Sequence, residues 1–137
     1  MIFGLSFAGA NLANPALLAL IAAFTLWGIG SHSFGAVQDV TADRDGGIAS
    51  IATVIGARNT VRFSFLAYLL AAILELLAGL PFLLLAALPY LVLVGQFWNI
   101  TDETCENANR GWKRFIWLNF FAGAVVTFSW LIPLIFG

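Results

Sequence analysis

Asp39-Val40-Thr41-Ala42-Asp43-Arg44-Asp45-Gly46-Gly47-Ile48 decides how the rest of the chain is read. It holds three of the seven acidic residues, and apolar runs lie on both sides of it. Asp39 and Asp43 are four residues apart, so at a helix end they face the same way, one turn above each other. Like charges at that spacing repel, and a divalent cation offsets the repulsion. Magnesium takes one or two protein carboxylates and fills its remaining positions with water and phosphate oxygens. Asp39 and Asp43 are therefore the candidate catalytic pair, and Asp39, Asp43 and Asp45 the candidate metal ligands. Arg44, set among them, suits phosphate oxygens and is the candidate diphosphate-binding residue. Gly46 and Gly47 release the helix into a loop. The bland reading is a solvated acidic loop. Carboxylates at the end of a span, with an arginine among them and a double glycine behind, favour the site.

The 137 residues are 61% hydrophobic and only 9% charged, with a mean hydropathy of +0.96. A soluble domain has about 25% charged residues. The chain is thus expected to be an all-α integral membrane protein. Cys105 is the only cysteine, which excludes an internal disulfide, and one Cys with one His cannot build a zinc site. No nucleic-acid partner is expected.

Asn14-Pro15 reads as a helix start, with Asn as N-cap and Pro in the first helical position. The predicted spans are about 16–38, 60–79, 82–100 and 115–136 within a single membrane domain covering 1–137. The first alone reaches about 34 Å, enough for a hydrocarbon core of about 30 Å. Gly79-Leu80-Pro81 makes a tight turn, and Glu75, one turn from the outer end of its span, is expected to snorkel or pair locally. Asp-rich loop 39–59 and second loop 101–114 connect the spans. The basic residues Arg44, Arg58, Arg62, Arg110, Lys113 and Arg114 all fall on one side. By the positive-inside rule that side, with the Asp-rich loop, is cytoplasmic in a multi-pass cell-membrane protein. Both termini then lie outside, as expected for the C-terminal part of something longer.

Counting back from Asp39, Gly35, His32 and Gly28 share one helix face, with Ser31 and Gln38 beside it. His32, Gly35 and Gln38 are candidate cavity-lining residues. The alternative is that the glycines serve close helix packing. Asp102, Glu103 and Glu106 form a second acidic cluster, read as a solvated loop. Trp98, Trp112 and Trp117 mark an interface belt, while Trp27 and Phe34 could face the cavity.

Asp39-x-x-x-Asp43-Arg44-Asp45-Gly46-Gly47-Ile48-x-Ser50, followed by Thr53-Val54-Ile55-Gly56, resembles the second aspartate-rich motif of the UbiA-type intramembrane prenyltransferases. Ser31 to Asp39 looks most like the lycopene elongase branch. The resemblance runs from about Ala16 to the end. It implies a nine-helix bundle of which this chain supplies the last four helices, with Met1 to Phe7 as the stub of the fifth. It also implies magnesium held by two aspartate motifs, a prenyl diphosphate donor and a lipophilic acceptor, in contact with membrane lipid. The first motif, N-D-x-x-D-x-x-x-D, has no counterpart here. The chain alone is therefore expected to be inactive, and a separate chain carrying the missing N-terminal helices is a possible partner. Two other readings compete. Ala42 to Gly47 also resembles the D-R-x-G-R-R loop of major-facilitator transporters, although no basic pair follows. The third is a non-catalytic membrane fragment.

Overall fold

The computed structural model describes Asn11 and residues 13–136; the expected helix stub at Met1 to Phe7 lies outside them. Among the described residues the chain is helical, without strands. Helix α1 spans Pro15–Val37, and the Asn14 side chain accepts hydrogen bonds from the Ala16 and Leu17 amides at 2.9 and 3.4 Å. The cap satisfies donors that no helical carbonyl can reach. Two short helices follow, α2 (Val40–Asp45) and α3 (Ile51–Ile55). A reciprocal capping box between Ser50 and Thr53 starts α3. Gly56, at φ +81°, turns the chain into α4 (Ala57–Leu77). A 3-10 turn at Pro81–Leu83 leads into α5 (Leu84–Gly95), and another at Asp102–Asn107 leads into α6 (Ala108–Phe136).

Helices α1 and α4 are long and apolar enough to cross a membrane, while the apolar stretch Pro81–Gly95 is shorter. The elements differ from the hydropathy reading in several places, and α5 ends at Gly95 rather than 100. Loop 39–59 contains two helices, α4 begins at Ala57 rather than 60, and α6 begins at Ala108 rather than 115. Hydropathy marks where a chain becomes apolar. A helix whose first turns carry Asn109, Arg110, Lys113 and Arg114 starts before that point.

The four long helices run alternately up and down. Gly30 approaches the Ser64 carbonyl and the Tyr68 ring, at 3.3 Å each from where a Cβ would stand. Ser31 bonds the Tyr68 hydroxyl at 3.0 Å. Leu17 and Ile21, earlier in α1, line one cavity with Ala71 and Glu75, later in α4, so the pair is antiparallel. Helix α4 buries Ala57, Thr60, Val61, Ser64, Ala67, Tyr68, Ala71 and Ala72, a stripe at helical spacing. Small side chains on that stripe let the backbones approach, the usual basis of helix association in lipid. An aromatic column runs through the centre. Tyr68 stacks on Tyr90 with ring centroids 5.2 Å apart, Tyr90 meets Phe115 at 5.4 Å, and Trp112 stacks on Phe115 at 4.9 Å.

Candidate functional site

Helix α1 ends at Val37 and leaves Gln38 and Asp39 in a turn before α2. Asp39 caps α2 with its backbone alone: its carbonyl accepts from the Asp43 amide at 2.7 Å, and its side chain makes no cap bond. One helical turn thus separates Asp39 from Asp43. Asp45, two residues further on, lies about 200° round the helix from Asp43. It does not share the face of Asp43. Among the described residues no group of three or more His, Cys, Asp or Glu comes together to hold a metal ion. Asp39 and Asp43 offer two oxygen ligands, and neither is consumed by an ion pair among the described residues. That pair fits magnesium, which needs no more than two protein carboxylates when a phosphate supplies further oxygens.

Arg44 is tied down by two partners. Its Nε and one terminal nitrogen donate to the Thr53 carbonyl at 3.2 and 3.1 Å, and its other terminal nitrogen donates to Asp102 at 2.5 Å. Asp102 also accepts from the Ala57 amide at 2.7 Å. Its carboxylate lies 3.3 Å from where a Cβ on Gly56 would stand. One carboxylate therefore joins α2, the start of α4 and the second connecting segment. The Ala57 amide, and then the Arg44 guanidinium, hold the Asp102 carboxyl below its ordinary value. Reading Asp102 as one of a solvated acidic cluster missed this. No sequence signal marks it, because its partners Arg44 and Ala57 lie 58 and 45 positions away. Arg44 keeps two of its five N–H donors for another ligand.

The predicted cavity stripe divides. Gly35 packs against the Trp112 ring, which lies 3.0 Å from where its Cβ would stand. His32 is exposed. The Gln38 carbonyl receives the Cys105 thiol at 3.6 Å, while its side-chain oxygen is buried without a partner among the described residues. Gly28 has nothing within 4 Å of a Cβ position, so it is not a packing glycine here. The cavity that the four helices form is lined by none of His32, Gly35 and Gln38; it includes Trp27 but not Phe34. Phe34 is buried to 1% and packs on Phe97 at 5.6 Å.

The profile of the UbiA prenyltransferase family matches residues 1–121. A lycopene elongase/hydratase of Corynebacterium glutamicum is 48% identical over 116 residues, covering 83% of this chain and 40% of that protein. A C(50) beta-cyclic carotenoids biosynthesis protein of Dietzia sp. is 46% identical over 130 residues, covering 92% of this chain and 30% of that protein. A lycopene elongase/hydratase of Haloferax volcanii is 37% identical over 68 residues, covering 50% of this chain and 22% of that protein. The chain therefore spans less than half the length of each of these relatives. No solved structure matches it. With the aspartate turn, its arginine and the double glycine in place, and with most of its length matched, the chain belongs to the UbiA prenyltransferase family.

Proposed function

We propose that this chain forms the part of a membrane prenyltransferase that holds the second aspartate-rich motif. The enzyme transfers an allylic prenyl group from a diphosphate to a lipophilic acceptor of the carotenoid class. The observation that supports this reading is the single helical turn from Asp39 to Asp43, next to Arg44 in the chain, with neither carboxylate in an ion pair among the described residues. The names of its relatives, at up to 48% identity, support the carotenoid acceptor. Asp39 and Asp43 would hold magnesium, and when bound the metal supplies charge neutralisation of the leaving diphosphate. Asp45 faces away and would act on that site through solvent or a second ion. The remaining work falls to the protein. Arg44 stiffens the turn through Thr53 and Asp102 and offers its two remaining donors to a phosphate oxygen. The polar end of the bundle admits the diphosphate, and the apolar helix faces carry its hydrocarbon tail. The chain crosses the membrane four times with this end in the cytoplasm. The reaction belongs to the whole protein, in which a first aspartate-rich motif supplies further carboxylates.

A binding measurement tests this without turnover. Radiolabelled geranylgeranyl diphosphate is titrated onto the chain in lipid nanodiscs, with magnesium and with EDTA. Saturable binding should need magnesium and weaken by roughly tenfold or more in the Asp39→Asn, Asp43→Asn double variant, since metal-bridged contacts are lost. Equal binding by wild type and double variant sinks the reading.

A further inference from the structure

Between α1, α4, α5 and α6, at the end of the bundle away from Asp39, lies a cavity of about 550 Å³. Small-molecule sites commonly enclose roughly 300–1,000 Å³. Leu17, Ile21 and Leu83 help make its hydrocarbon walls, and Trp27, Tyr68 and Tyr90 its aromatic floor. The floor is closed: Tyr68 and Tyr90 are stacked and each is 1% exposed. Phe115 and Trp112 continue the column toward the Asp39 end. The cavity is thus separate from the carboxylate turn. Its tyrosine hydroxyls are already engaged, Tyr68 with Ser31 and Tyr90 donating to Asn119 at 2.8 Å. Glu75 is not. It lines the cavity, and its Oε2 is buried with no hydrogen-bond partner among the described residues.

A buried oxygen without a donor costs free energy that a bound donor returns. Glu75 stands about 10 Å along α4 from Tyr68, toward the end of that helix at Leu77. A ligand with its polar head at Glu75 and its tail on the aromatic floor would lie as an amphiphile lies in a bilayer leaflet. A hydroxyl head satisfies the carboxyl oxygen without bringing a second charge out of water.

We propose that this cavity is a second lipid site that takes a long-chain alcohol, with its tail on Trp27, Tyr68 and Tyr90 and its hydroxyl donated to Glu75. The proposal does not rest on the prenyl-transfer reading. Such an alcohol could be an isoprenoid or a straight alkyl chain, and the probes separate these sources.

Tritiated farnesol and 1-dodecanol, and the matching hydrocarbons farnesane and dodecane, are titrated onto the chain in lipid nanodiscs. At least one alcohol should bind saturably and roughly tenfold tighter than its hydrocarbon, a ratio expected of one hydrogen bond. The preferred alcohol names the source. Glu75→Leu should bring the alcohol down to the hydrocarbon's affinity, and Glu75→Gln, which keeps an oxygen, should stay within about threefold of wild type. Gly123 lines the cavity and has nothing within 4 Å of a Cβ position, so Gly123→Leu should abolish saturable binding of every probe. Asp39→Asn should change none of these values. Equal binding of alcohol and hydrocarbon by wild type, or wild-type alcohol binding by Glu75→Leu, overturns the proposal. So does the absence of saturable binding. Should Glu75→Leu fail to fold, the wild-type preference and Gly123→Leu decide.

Discussion

At the residue scale, Arg44 and the glycines separate what sequence type tells from what surroundings tell. The arginine among aspartates marks itself in the sequence as a candidate phosphate ligand. Its three bonds to Thr53 and Asp102 are not legible there, because their partners lie nine and 58 positions away. Those bonds make Arg44 a positioning residue as well as a proposed ligand. Arg44→Lys keeps a charge but loses the planar fork that spans two acceptors. In the whole enzyme Arg44→Ala should reduce prenyl transfer more than Arg44→Lys, with both below wild type; wild-type turnover by Arg44→Ala would remove both roles. The glycines divide more sharply. A Cβ on Gly111 would stand 2.6 Å from a Phe97 ring carbon and 2.8 Å from the Phe34 ring, whereas one on Gly28 meets nothing. An alanine gains up to about 1 kcal/mol of helix propensity, and overpacking costs about 1–3 kcal/mol. Gly28→Ala should therefore hold or raise the melting temperature in detergent, and Gly111→Ala should lower it. Periodicity could place Gly28 and Gly35 on one face. It could not tell which of them meets a neighbour, since that depends on where Trp112 of α6 arrives.

At the element scale, Asp102 fastens α2, the start of α4 and the second connecting segment together. Its side chain is 32% exposed and that of Arg44 is 42% exposed, so solvent screens the ion pair. Asp102→Ala should cost on the order of 1 kcal/mol, mostly through the unpaired Ala57 amide. The pH dependence follows from the lowered carboxyl. A group whose value is lower in the folded state than the ordinary 3.8 stabilises fully above 3.8 and loses that contribution as pH falls through the folded value. Melting scans should show the difference between wild type and Asp102→Asn to be constant at neutral pH and to shrink in acid, below about pH 4. A difference that grows in acid would remove Asp102 as the clamp. The helices themselves were largely legible from apolar runs, the Asn14-Pro15 start and the glycine turns. The clamp and the early starts of α4 and α6 were not, because polar helical turns look like loops to hydropathy.

At the scale of the whole molecule, one end of the bundle is charged and the other is not. Arg58 and Arg62 lie in the first turns of α4, and Arg110, Lys113 and Arg114 in those of α6. Arg44 is bound to Asp102 beside them. Arg62 lies over the Trp98 ring at 5.2 Å, and Arg114 donates to Gln96 at 3.1 Å. These contacts bring the starts of α4 and α6 and the end of α5 to the same level, so the six basic residues share one end with Asp39 and Asp43. The up-and-down course of the four helices leaves Asn11 at the other end. Translocating a cluster of arginines and lysines is disfavoured, so the charged end should stay in the cytoplasm. Single cysteines placed at Asn11 and Asn109, both exposed, test this in a Cys105→Ala background. In intact cells a membrane-impermeant maleimide should label Asn11→Cys and spare Asn109→Cys until the membrane is opened. Labelling of Asn109→Cys in intact cells would reverse the bundle. It would also leave the carboxylate pair facing the compartment opposite to the one from which a cytoplasmic diphosphate arrives.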